Sequence, residues 1–270
     1  MSFLLTVAAF VRKDFLQERS YRLSFALGAL ATLANLAVFY FIGRLFGDRA
    51  AGDLAPFGTD YFGYVFAAMA FFGYVGTGAG SYAGRLRQEQ TQGTLEAVLS
   101  SPVGAGRFLA GLTAWSFLFA TFELAVYALA GRFVFGLSYP QANWPAAALV
   151  FALSAACFAA LGIISSCFVM LFKRGNPLAW VLNNFEGLLG GVYFPVTVLP
   201  GWLAAVSKLL PVTYAVGAFQ LTLHKGAGLS EVAGDLAVLA LFTAALLPGG
   251  VWLFGWSVRR ARRAGTLGGY

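Results

Sequence analysis

Charge is what this chain has least of. Acidic and basic residues fill 11% of its 270 positions, whereas soluble domains carry about 25%. Histidine occurs once, at His224, so metal centres and histidine-based catalysis have almost nothing to use. His224 itself reads as a solvated loop residue on the outer side. The phosphate-cradling pattern GxxxxGK is absent and Gly is nowhere followed by Lys, which excludes ATP binding by a P-loop in this chain. Neither GxSxG nor HExxH occurs. The two cysteines, Cys157 and Cys167, sit ten apart in one apolar segment and fit neither a disulfide framework nor zinc spacing. Each is expected as a small buried apolar side chain.

What is present is hydrophobic: 59% of all residues, including 27 Phe. Apolar runs long enough to cross a bilayer recur, which implies an all-α integral membrane protein with a single transmembrane domain over 1–270. The first run starts after about 22 polar-studded residues and is too long for a signal-peptide core, so no cleavable signal is expected. Six crossings are predicted, at 24–43, 61–84, 108–131, 144–172, 177–197 and 232–258. One set of flanks holds Arg12, Lys13, Arg19, Arg22, Arg85, Arg87, Arg107, Lys173, Arg174, Arg259, Arg260, Arg262 and Arg263. The other holds only Arg44, Arg49, Arg132, Lys208 and Lys225. The positive-inside rule then places both termini, including the tail 259–270, in the cytoplasm. The net charge of +7 reflects this bias, with no basic domain that would suggest nucleic acid.

Residues 186–202, EGLLGGVYFPVTVLPGW, are apolar but repeatedly broken, and Leu210–Pro211 adds another break. A seventh span over 209–223 would put the RRARR end outside and would be short for a crossing. The segment 195–223 is therefore predicted to enter and leave the outer leaflet without crossing. Such backbone is tolerated only where protein or water covers it. The alternative is a kinked helix followed by an ordinary amphipathic loop.

The most polar internal segment is 85–107. Leu95, Val98 and Leu99 make a short apolar stripe after a break at Gly93 and a plausible cap at Thr94, and Pro102 stops the helix. The stripe suits docking to a cytoplasmic partner, or packing on the chain's own bundle. Gly76, Gly80 and Gly84 repeat at four-residue spacing, which lets helix backbones approach closely, within the chain or across a dimer. Over 1–22, Leu4, Val7, Ala8, Val11 and Phe15 share one face while Arg12, Lys13 and Gln17 lie away from it, the pattern of a helix in the membrane surface. Two acids fall within spans, Glu123 and Glu186, the latter beside Asn183 and Asn184. Intramembrane acids are costly, so they are candidates for a pathway or subunit interface; the plainer reading is a Glu bonded to a neighbouring helix.

Two motifs together, EQTQGTLEAVLSSPVGAGRFLAG (89–111) and GVYFPVTVLPGWLAAVSKLLPVTYAVGAFQ (191–220), carry a family likeness. With the surface helix and six spans, the chain resembles the permease subunits of type-2 ABC transporters over nearly its whole length. The resemblance implies a coupling helix around Gly93, Thr94, Leu95, Glu96, Val98, Leu99 and Pro102 that docks on an ATPase. It implies two short re-entrant helices marked by Phe194, Pro195, Leu199, Pro200, Leu210 and Pro211 as an external gate. Two ATPase subunits holding ATP and Mg, a second copy or homologous permease, membrane lipids and a bacterial inner-membrane location complete the expectation, with no cofactor or metal on this chain. The function implied is outward movement of an amphipathic, lipid-linked or drug-like substrate by alternating access. Competing readings are an ion-driven carrier, a channel and a lipid-modifying membrane enzyme. The first would show more intramembrane charge and internal repeats, the second a selectivity filter, the third clustered His, Asp and Glu.

Overall fold

The computed structural model describes residues 3–18, 27, 34–45, 52–95, 104–172 and 187–263, and among these every regular element is helical. In chain order the helices are α1 (Phe3–Glu18), α2 (Ala34–Leu45), α3 (Tyr61–Thr91), α4 (Ala105–Phe133), α5 (Trp144–Phe172), α6 (Gly201–Ser207), α7 (Pro211–His224) and α8 (Ala233–Arg263). A 3-10 turn, Val196–Val198, precedes α6. Among the described residues α3, α4, α5 and α8 are long and apolar enough to cross a membrane. A fifth crossing arises only if α6 and α7 count as one bent span. Of the predicted crossings at 24–43 and 177–197, residues 24–26, 28–33 and 177–186 lie outside the described residues; α2 holds the end of the first.

Three of the four long helices, α3, α4 and α8, overrun the predicted spans. α3 has 31 residues, about 46 Å at the α-helical rise, against a hydrocarbon core of about 30 Å. It starts at a cap where Asp60 Oδ1 accepts the Gly63 N–H at 3.1 Å. It passes the predicted end at Gly84 because Arg, Leu, Gln and Glu favour the helix, and it stops only before Gly93, whose φ of +70° is left-handed. α8 likewise continues past Val258 to Arg263.

α5 lies at the centre, packed against α3 on one side and α8 on the other. α4 packs on α3, α1 lies on α4, and α7 leans on α5, α8 and α3. The α3–α5 crossing rests on Gly78 and Gly162: a Cβ on Gly162 would collide with the Gly78 carbonyl, and one on Gly78 would stand 3.0 Å from the Ala159 nitrogen. This close approach, not the predicted stripe, is the small-residue contact inside the chain. Gly76, Gly80 and Gly84 have nothing within 4 Å of the Cβ position.

Two buried clusters stack along the bundle. One gathers Tyr82, Leu86, Leu95, Phe108, Leu112, Met170, Phe254 and Val258, with Phe10 of α1 against it. It lies where α3 ends, α4 begins and α8 ends; we call this the basic end. The other gathers Phe71, Val75, Phe158, Val192, Val212, Val216 and Leu239 and ties in α7, with Phe71 and Phe219 stacked at 4.3 Å. It leads to the cap end, formed by residues 191–224. Cys157 and Cys167 are both buried and form no disulfide.

Candidate functional site

At the basic end, charge is concentrated where α1, α3 and α4 meet. Glu89, in the last turn of α3, is 4% exposed. Lys13 of α1 donates its ammonium to Glu89 Oε1, and the Thr94 hydroxyl donates to Glu89 Oε2. The Thr94 N–H also donates to the Glu89 carbonyl at 3.1 Å. Asp14, as buried as Glu89, lies 3.8 Å from Lys13 Nζ and 3.9 Å from Arg85 Nη1. Arg85 Nε donates to Ser116 Oγ of α4 at 3.2 Å. Four chain segments thus share one set of charges. A buried carboxylate is tolerable only when it is paired: Glu89 is bonded by Lys13 and Thr94, and Asp14 lies within ion-pair distance of Lys13 and Arg85. The left-handed Gly93 turns the chain so that Thr94 reaches back over Glu89, and Leu95 enters the core at 1% exposed.

The sequence pattern of α1 assigned no side of the helix to the bundle. Its face toward the bundle is Thr6, Phe10 and Asp14, spaced four apart, with Thr6 and Asp14 buried. Phe10 meets Phe108 at 6.3 Å and occupies the space a side chain on Gly111 would need. Of the predicted stripe, Val7 and Val11 are half-buried while Ala8 and Phe15 are exposed. The outward side carries Phe3, Leu5, Phe15 and Leu16, as suits a helix against lipid. Lys13 does not simply face water; it reaches Glu89.

At the cap end the polar contacts are neutral. The Tyr64 hydroxyl donates to the Gly191 carbonyl at 2.6 Å, and Gln220 Nε2 donates to the Tyr64 carbonyl at 2.7 Å. Both side chains are buried, so α3, the 191–195 segment and α7 are pinned together. Gly191 has φ +82° and a Cβ there would stand 3.2 Å from Val196 Cγ2. The prolines act as starters. Pro195 stands before the 3-10 turn, Pro200 before α6, and Pro211 opens α7, where a missing N–H breaks no helical bond. Between α6 and α7 the chain bends by 90°. The bend is held by the Thr213 hydroxyl on the Ser207 carbonyl at 2.7 Å and the Tyr214 hydroxyl on the Lys208 carbonyl at 2.8 Å.

Of the residues singled out in sequence, Gly93, Thr94 and Leu95 are brought together with Lys13 and Glu89. Along the cap, Pro195 and Pro211 are buried, Phe194, Leu199 and Leu210 half-buried, and Pro200 exposed. Glu123 lies on the exposed face of α4 with Leu118, Phe122 and Val126, away from the chain's own bundle. Glu96, Val98, Leu99, Pro102, Asn183, Asn184 and Glu186 lie outside the described residues. His224 is not a solvated loop residue. It ends α7, half-buried, its ring 5.3 Å from Tyr139 and its Nε2 buried without a hydrogen-bond partner. Burial pushes its pKa down to about 4, against a smaller opposing pull from Asp60. Asp14, Arg85 and Glu89 were not singled out in sequence. Their one signal was two acids and an Arg near the ends of helices otherwise poor in charge.

Residues 7–224, from α1 through α7 and so including both ends of the bundle, match the ABC-2 type transporter family. The chain belongs to that family. Over 184 residues it is 24% identical to the inner membrane transport permease YadH of Escherichia coli K12, spanning 67% of this chain and 70% of YadH. YadH of Escherichia coli O157:H7 and of Shigella flexneri match with the same figures. Family and relatives together make it a permease subunit of a type-2 ABC transporter, and with its long apolar helices they support a multi-pass protein of the inner membrane.

Proposed function

We propose that this chain is the transmembrane part of an ATP-driven exporter, with the basic end of the bundle and both termini in the cytoplasm. The family match over 7–224 carries the reading. ATP and Mg would be held by two partner ATPase subunits, and a second copy or a homologous permease would complete the pathway. The segment from Gly93 through Thr94, Leu95, Glu96, Val98 and Leu99 to Pro102 would be the coupling helix. Leu95 would anchor it from within and Val98 and Leu99 would meet the ATPase. A push on that segment would pass through Thr94 to Glu89, and from Glu89 both to α3 and through Lys13 to α1. The bent pair α6–α7 would be the re-entrant outer gate, and Asn183, Asn184, Glu186 and Glu123 would face the pathway or the subunit interface. The substrate would be amphipathic, lipid-linked or drug-like, moved by alternating access.

The test is purification from native membranes. A P-loop ATPase recovered in stoichiometric amount, with ATP-dependent transport in proteoliposomes, is the expected result. A chain that purifies alone and transports without ATP overturns it. Val98→Asp with Leu99→Asp should remove the ATPase while leaving membrane insertion intact. Leu95 is unsuitable for that test, because its substitution would damage the core directly.

A further inference from the structure

We propose that the C-terminal end of α8 is a binding site for an anionic phospholipid headgroup. α8 is the least covered of the long helices, with 11% of its apolar window buried. Its inward side is Gly250, Phe254, Ser257, Val258 and Ala261. The opposite side runs without interruption from Pro248 and Gly249 through Trp252, Gly255 and Trp256 to Arg259, Arg260 and Arg263. Trp252 on that side is 66% exposed. One helix face therefore passes from apolar to aromatic to cationic within about four turns, the order in which a bilayer passes from acyl chain to headgroup.

The placement of the guanidinium groups carries the argument. Arg260 lies over the Trp256 ring, 5.3 Å from its centre. Arg259 lies back over Gly255, its Nη1 3.5 Å from where a Cβ would stand. Both side chains fold one turn back toward the apolar part of the helix, the direction in which helical side chains lean, instead of running on into water. Positive charge that only orients a membrane protein needs no such placement. Gly255 gives Arg259 the room to lie there, and Trp256 gives Arg260 a surface. Among the described residues no acidic side chain pairs with Arg259, Arg260 or Arg263. Within α8 the acid is Asp235, in the opposite first turn. Two planar forks held at the boundary, with an indole beside them, match a phosphodiester, which Arg binds in bidentate fashion. The open surface at Gly249 leaves space for an acyl chain alongside Trp252. An anionic lipid is favoured over a zwitterionic one because Arg259, Arg260 and Arg263 stand on this face with no carboxylate among its residues, and Arg260 already covers the Trp256 ring that would otherwise take a choline cation. The inference needs α8 in a bilayer and does not depend on the direction of transport or on which side the termini lie.

The experiment is native mass spectrometry of the detergent-solubilised chain titrated with phosphatidylglycerol or phosphatidylcholine of equal chain length. Each guanidinium near an anionic headgroup contributes roughly fivefold, so the wild type is expected to prefer phosphatidylglycerol by roughly 25-fold. Arg259→Gln with Arg260→Gln should bring the two lipids close to parity. Arg259→Lys with Arg260→Lys should keep an intermediate preference, since charge stays and the fork is lost. Both arginines are exposed, and an unchanged helical circular dichroism spectrum checks that the variants fold. Equal binding of the two lipids to the wild type overturns the proposal, as does a glutamine variant that keeps the full preference. A glutamine variant with unchanged lipid preference that instead loses a co-purifying protein assigns the patch to that protein and also overturns it.

Discussion

The two ends of the bundle solve one problem with different chemistry. At the basic end four segments are joined by ions: Lys13, Asp14, Arg85 and Glu89, with Thr94 added. At the cap end three segments are joined by neutral donors on backbone carbonyls, from Tyr64 to Gly191 and from Gln220 to Tyr64. The difference follows from solvent. Lys13 keeps 43% of its side chain exposed, so its charge is not fully desolvated. Tyr64 and Gln220 are sealed among apolar side chains, where an ion would be far more costly than an amide or a phenol. At the ionic joint Lys13 can exchange its carboxylate partner for water while Thr94 still donates to Glu89. At the neutral joint, parting Tyr64 from Gly191 leaves a buried carbonyl bare. Glu89 thus keeps a partner if α1 shifts, which the Gly191 carbonyl does not if α3 shifts.

The largest effect is expected from a change that disturbs both ends together. Gly162→Ala places a methyl against the Gly78 carbonyl and must separate α3 from α5 along their length. A loss of about 3 kcal/mol, the upper part of the overpacking range, should appear as a lower midpoint in thermal unfolding of the detergent-solubilised chain. An unchanged midpoint would show that the crossing is looser than described. Next comes Glu89→Gln, which removes the charge that Lys13 and Thr94 share. Breaking a fully buried pair costs 3–5 kcal/mol; with Lys13 half in water, about 2 kcal/mol is expected. The comparison sharpens with Lys13→Met. If the two residues act as one joint, the double variant should be less destabilised than the sum of the single ones; simple additivity would mean that Glu89 is held by Thr94 alone.

How far these features were legible in sequence depends on whether the signal was local. The span 144–172 is recovered to the residue as α5, because a run apolar on every side needs no knowledge of its neighbours. The breaks at Pro195, Pro200 and Pro211 were legible for the same reason, since each proline starts a new piece of chain. The joint at the basic end was not. Lys13 and Glu89 are 76 residues apart, and nothing near either one names the other. The packed face of α1 was not legible, for a reason particular to membranes. Lipid is as apolar as a protein core, so hydrophobicity no longer separates the buried side from the exposed one. Thr6 and Asp14, the polar residues, mark the protein side. The regular spacing of Gly76, Gly80 and Gly84 left open a contact within the chain or across a dimer; within the chain it is Gly78, outside the pattern, that meets α5.

Smaller effects are expected at the cap. Tyr64→Phe leaves the Gly191 carbonyl unpaired in a dry site, at about 1–2 kcal/mol. Gly191→Ala meets both the left-handed backbone and Val196, with a similar cost. Neither should alter association with an ATPase, whereas Glu89→Gln should weaken coupled ATPase activity. If Tyr64→Phe uncouples the ATPase as strongly as Glu89→Gln, the two ends do not have separate roles.

The smallest effect separates the ends by pH. His224 is held neutral at the cap end, with its folded pKa at about 4 against an ordinary 6.5. Between these values the unfolded chain binds a proton that the folded chain does not, so stability rises with pH across that window. Above about pH 6.5 both states are neutral and the term vanishes. As pH falls from 6.5 toward 4 the fold loses stability, and below 4 the loss is complete and constant. His224→Phe keeps a ring against Tyr139 and removes both the titration and the unpartnered Nε2. Its thermal midpoint should therefore fall less steeply than that of the wild type between pH 6.5 and 4, and the two curves should run parallel above pH 7. An equal slope in both proteins would place the acid sensitivity elsewhere in the molecule.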